Sequence, residues 1–238
     1  TLGTLKAFVG LVGFAGVLSS MLGAIVGAAA LITFGLSQSF VQSWKLWWGG
    51  EAMAVLIFSS LLLAWFDPAN RLRRDRVTPR RILEVALLVC GLVVVTWHTL
   101  VVEGGILSPN KGQMVPFLLW AGLRFGLRGA TAVVFLLSLV MAFFTTYFLK
   151  GLTAENIASG DYIFTLQINV AVAALVTLIP AIVLGERDRT MAESRESERK
   201  FKTLFESAND AIFLMNRQVF LDCNLKTAAM FGCQRTDI

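Results

Sequence analysis

The sequence predicts an all-α polytopic membrane helix bundle of about six spans, followed by a linker helix and the opening of an α+β domain. Three observations carry that expectation. The 238 residues are 56% hydrophobic and 16% charged, against about 45–50% and roughly 25% in soluble domains. The apolar residues gather into uncharged runs long enough to cross a bilayer core of about 30 Å. The net charge of +5 falls entirely within residues 1–184, whereas residues 185–238 balance their charges. A nucleic-acid binder would carry its basic excess on a soluble face, so nucleic acid is not an expected partner.

The elements follow in order. Phe8–Leu36 is an uncharged run rich in small residues, with Gly23 and Gly27 forming a GxxxG suited to close helix approach. The second span runs from Trp44 to Phe66 and the third from Ile82 to Glu103. A Gly/Pro/Asn loop leads to a short apolar piece, Val115–Phe125, which as a helix rises only about 16 Å. Spans at Gly129–Leu149 and Tyr162–Leu184 complete the set.

Loop charge sets the orientation. The segment Asp67–Arg81, DPANRLRRDRVTPRR, places six Arg against two Asp between the second and third spans. Such a loop belongs on the cytoplasmic side. Alternation then puts residues 104–114 and 151–161 outside, and Arg124, Arg128 and everything after Gly185 inside. Both ends of the six-crossing chain are expected inside.

Beyond Gly185 the character changes. Glu186–Lys200, ERDRTMAESRESERK, is polar and rich in helix formers, and is expected as a helix paired with a copy of itself. Phe201–Ala208 reads as a short amphipathic helix with Phe201, Leu204 and Phe205 on one face. Asp210–Asn216 and Gln218–Cys223 read as strands joined near Asn216–Arg217, with Phe213 and Met215 facing a core. Asn224 is placed to cap the amides of a helix over Leu225–Phe231. The division expected is 1–184, 185–200 and 201–238. Without an initiator Met, and ending soon after its last fold begins, the chain reads as cut at both ends.

Ionisable groups at membrane depth are costly and mark candidate sites. Glu51 lies about 10 Å along its helix from Trp44, and His98 about 7–8 Å in from Glu103. At matched depth, the two are expected either to share a pocket open to the outside or to serve as helix-to-helix or headgroup contacts. Arg124 and Arg128, four apart, fall on one helical face, as anchors at phosphates or as a clamp onto the outgoing helix. Trp44, Trp47 and Trp48 fit an interfacial aromatic belt, with stacking on a ligand as the alternative. Cys90, Cys223 and Cys233 have no metal or disulfide spacing, and Cys90 is expected buried. The lone His98 and the absence of CxxCH argue against haem, and no catalytic motif or metal cluster is apparent. No cofactor is expected in this chain.

Two stretches resemble a bacterial membrane-associated sensor domain, MASE of the first type: WKLWWGGEAMAVLIFSSLLLAW (Trp44–Trp65) and PFLLWAGLRFGLRGA (Pro116–Ala130). Glu51 stands where that family carries Asp, Ala54 where it carries Gly, Ser59–Ser60 where it carries proline, and Leu127 where Pro is common. The family has about eight spans, so the resemblance implies that the first ones are missing here. From Ser197 on, SERKFKTLFESANDAIFLMN and DCNLKTAAMFGC resemble the start of a PAS domain, whose cofactor stays open. Together they imply a sensory input module in a bacterial inner membrane with a cytoplasmic tail. They further imply a homodimer through the linker, feeding a histidine kinase of a two-component system or a cyclic-di-GMP enzyme in the same polypeptide. A transporter and an intramembrane enzyme are the competing classes.

Overall fold

A computed structural model describes residues 3–67, 78–102, 111–148, 161–217 and 219–232. The loop expectations for 68–77, 103–110 and 149–160, and Cys233, lie outside these residues. The chain divides into two units, Thr1–Glu186 and Arg187–Ile238.

In the first unit, α1 (Leu5–Thr33) and α2 (Phe40–Phe66) form an antiparallel pair. Thr4 Oγ1 caps α1 by accepting from Ala7 N, and Ser39 Oγ caps α2 by accepting from Gln42 N. Gly35 ends α1 in the left-handed region (φ 71°) while Leu36 N donates to Leu31 O, the helix stop that glycine favours. At the other end, Asp67 turns extended (ψ 119°), as a residue preceding proline does. Both helices carry a π-helical stretch, Leu11–Ser19 and Val55–Ser59, and these stretches meet each other.

Helix α3 (Pro79–Trp97) opens with proline at its first turn and continues through a π-helical turn, His98–Val102. Helix α4 (Val115–Phe148) is interrupted at Gly126, whose φ of 63° and ψ of −168° are not helical. Val115 and Leu118 before that break line the same cavity as Leu137 and Met141 after it. A straight helix would hold Val115 and Met141 about 39 Å apart, so the chain turns back at Gly126. Helix α5 (Asp161–Ser207) is continuous for 47 residues despite Pro180. Leu118, Ala121, Val134, Leu137, Val170, Ala174 and Leu178, from α4 and α5, build much of the buried core.

Among the described residues, four helices are long and apolar enough to cross a membrane: Leu5–Thr33, Phe40–Phe66, Gly112–Tyr147 and Tyr162–Ser207. The expected six become four by that measure for two reasons. Arg80, Arg81 and Glu84 crowd the start of α3, and the short fourth piece joins its successor in α4. Cys90 is exposed rather than buried. An apolar stretch in a membrane helix faces lipid as readily as protein, so hydrophobicity does not mark its inner face.

In the second unit, β1 (Phe213–Asn216) pairs antiparallel with β2 (Val219–Cys223), and α6 (Leu225–Phe231) follows. Arg217 makes the turn at φ 54°. Asn224 is fully buried and its Oδ1 accepts from Ile212 N, Thr227 N and Thr227 Oγ1, while Nδ2 donates to Asp210 O. Three expectations need correction. Phe213 and Met215 are exposed, because no further layer among the described residues covers that face and a register shift at Leu214/Met215 breaks the alternation. Of Phe201, Leu204 and Phe205 only Phe205 is buried. These residues continue α5 rather than form a separate short helix.

Candidate functional site

The GxxxG of α1 is a seat for two side chains of α2. A methyl group on Gly23 would meet Glu51 Oε2 at 2.6 Å, and one on Gly27 would meet Trp47 Cδ2 and Cε2 at 2.6 Å. Both pairs are spaced by four, so one antiparallel register serves both. On that seat Trp47 Nε1 donates to Glu51 Oε1 at 2.7 Å, which gives the carboxylate a neutral partner where solvation is poor. Trp44 Nε1 donates to Met21 O at 3.3 Å, and its ring stacks on Trp48 with centroids 5.5 Å apart. Three tryptophans expected as a belt are thus also fixed packing elements of the α1–α2 contact.

Glu51 and His98 are not brought together. Glu51 is taken up by Trp47 and Gly23, whereas His98 begins the π-helical turn that packs against α4. A matched depth, read from helical rise, leaves the facing of each helix open.

Sequence reasoning missed two amides of α5. Gln167 packs on Gly49, where a methyl group would overlap it, and its Nε2 donates to Leu46 O at 3.3 Å. Gln167 and Trp48 border a cavity of ≈ 230 Å³ among α1, α2 and α5. Asn169 borders a second cavity, ≈ 100 Å³, between α4, α5 and Thr99 of the π-helical turn. Both amides visibly interrupt the run IFTLQINVAV, but an uncharged amide costs less at membrane depth than an ionised group and so marks a site more weakly.

The charged end of the bundle is organised around Gly126. Arg124 holds Glu84 of α3 through two bonds, Nε to Oε2 at 3.0 Å and Nη2 to Oε1 at 3.1 Å, and Arg80 lies 3.5 Å from the same carboxylate. Arg128 donates to Ala64 O at 3.3 Å and to Trp65 O at 3.4 Å, neutralising carbonyls at the C-terminal end of α2. The two arginines therefore do not share a helical face, because the chain reverses between them. Neither holds α5. That helix is met instead by Gly122, where an added methyl group would overlap Thr177 O. Leu5 N also donates to Glu186 Oε2 at 3.0 Å.

The family model MASE1 matches residues 1–188. The chain belongs to the MASE1 family. A second model, described as a PAS domain, matches residues 199–238. No curated protein and no solved structure matches the chain. MASE1 is a membrane-associated sensory domain, and its pairing with a PAS domain makes this chain a signal-transduction input module.

No group of three or more His, Cys, Asp or Glu that could hold a metal occurs among the described residues. The MASE1 part offers a bundle with two partly open cavities, a tryptophan–carboxylate seat at one contact and an arginine-bound reversal at its charged end. In the PAS part, Asn224 ties the segment before β1 to the start of α6.

Proposed function

We propose that this MASE1–PAS chain is the membrane half of a receptor that crosses the bilayer six times and sends its signal along α5. The observation that carries the reading is the continuity of that helix. Asp161–Ser207 begins within the MASE1 match and ends within the PAS match without a break. A displacement of α5 inside the bundle therefore has a stiff path outward, and shifts of about 1–2 Å at helix interfaces suffice for switching. The reversal at Gly126 supports six crossings, since residues 115–125 and 127–148 then run antiparallel. The basic segment between α2 and α3 supports placing that end, and the PAS part, on the cytoplasmic side of a bacterial inner membrane.

The output we favour is a sensor histidine kinase of a two-component system, working as a homodimer joined through residues 187–207, with a cyclic-di-GMP enzyme as the alternative. A transporter is favoured by one feature, the broken helix α4. Transported ligands sit at breaks near the midplane, whereas this break stands beside Arg124 and Arg128 at a charged end. Inserting one residue between Arg187 and Lys200 rotates the PAS part about the helix axis by about 100°, and inserting seven restores the phase to within about 20°. The one-residue insertion should change or lock the output of the whole polypeptide and the seven-residue insertion should restore it. Equal output from both would refute transmission by α5.

A further inference from the structure

The cavity between the two halves of α4, α5 and the π-helical turn after α3 is more than a packing gap. Its walls are apolar apart from Thr99 and Asn169, and Met114 and Met141 flank it. Thr99 is 3% exposed and its Oγ1 has no hydrogen-bond partner. Asn169, half-buried, borders the same space with its amide. Buried polar groups are nearly always satisfied, and exceptions ask for an explanation. No charged side chain lines the cavity, so an ion would enter uncompensated. At ≈ 100 Å³ the space is somewhat smaller than the cavity of about 150 Å³ that admits benzene in an engineered protein. The two methionines are adaptable walls.

We infer that this cavity is a binding site for a small uncharged molecule with one hydroxyl or amide head and a short apolar body. Asn169 takes the head, since its amide offers both a donor and an acceptor, with Thr99 completing the polar side. The apolar body lies among Leu118, Leu137 and the methionines. A lipid acyl chain would fill the walls and leave the buried Thr99 Oγ1 unpaired, so the occupant is a free small molecule. The ligand would touch both limbs of the Gly126 reversal and the helix that leads outward. That consequence rests on the receptor reading, whereas the site itself does not.

The test is methyl NMR of the full chain in phosphatidylcholine nanodiscs, with its seven methionines labelled, titrated with n-butanol and, separately, n-pentane. Butanol should shift the Met114 and Met141 methyls saturably and leave Met21, Met53, Met191, Met215 and Met230 in place. Pentane, lacking the head, should bind about tenfold more weakly, the scale of one buried hydrogen bond. Asn169→Leu should weaken butanol by a similar factor, and Thr99→Val by a few-fold. Ala173→Leu, which fills the cavity from its wall, should abolish the shifts and covers the case in which Asn169→Leu misfolds. Equal effects of butanol and pentane, shifts that do not saturate, or unchanged shifts in Asn169→Leu and Ala173→Leu would each overturn the inference. If butanol binds as described while the output of the whole polypeptide ignores it, the site stands and its sensory role falls.

Discussion

Gly27→Ala tests the seat on which Trp47 and Glu51 rest. The new methyl carbon would stand 2.6 Å from Cδ2 and Cε2 and 2.9 Å from Cε3 of Trp47, where carbon atoms settle at about 3.5–4.0 Å. The indole is rigid, so relief has two routes. Either α1 and α2 separate by about 1 Å, or Trp47 rotates and gives up its 2.7 Å bond to Glu51. Overpacking of this kind costs about 1–3 kcal/mol, and loss of the bond adds about 1 kcal/mol. For a chain of this size, each kcal/mol moves Tm by about 2–4 °C, so a fall of roughly 5–15 °C is expected. Thermal unfolding in nanodiscs, followed by tryptophan fluorescence, reads it. Gly10 and Gly13 are the controls in the same helix, since nothing lies within 4 Å of a methyl group added at either. Their alanine variants should unfold within about 0.5 kcal/mol of the parent. If Gly27→Ala unfolds with the controls, the seat is not the contact described.

Three further outcomes are expected. Arg124→Gln and Glu84→Gln should each lower the unfolding temperature, and the double variant should fall by less than the sum, because one two-bond pair joins them. Asn224→Ala should destabilise the second unit by about 1–3 kcal/mol, the cost of stranding buried donors, and limited proteolysis of residues 208–232 should speed up accordingly. Lys200, 2.7 Å from Glu196 and hydrogen-bonded to it, holds that carboxyl below its ordinary value. A depressed carboxyl stabilises the helix above its unfolded pKa and loses that contribution as pH falls through the folded value. Circular dichroism of a peptide over residues 187–207 should therefore show helix lost below about pH 4, with a smaller loss in Glu196→Gln.

What the sequence made legible was whatever rests on local chemistry. Apolar length located the helices, and Asn224 announced its cap. What stayed hidden was rotation about helix axes. Membrane helices are apolar on every side, so no amphipathic stripe said that Glu51 faces Gly23, that Cys90 faces outward, or that Arg124 reaches α3. The reversal at Gly126 was half legible. The shortness of 115–125 was visible, yet the i, i+4 spacing of Arg124 and Arg128 suggested a shared face that a left-handed glycine between them removes. Gln167 and Asn169 were in plain view but are uncharged, and their importance comes from cavities built by residues distant in sequence.

The central claim is that this membrane domain informs a cytoplasmic output, and the most direct measurement offers the whole polypeptide, in nanodiscs, labelled ATP and labelled GTP in parallel. The account predicts acid-labile label on the protein from ATP, or cyclic-di-GMP from GTP under its alternative. Neither product, together with solute movement by this chain alone across liposomes, would contradict it and make the protein a transporter.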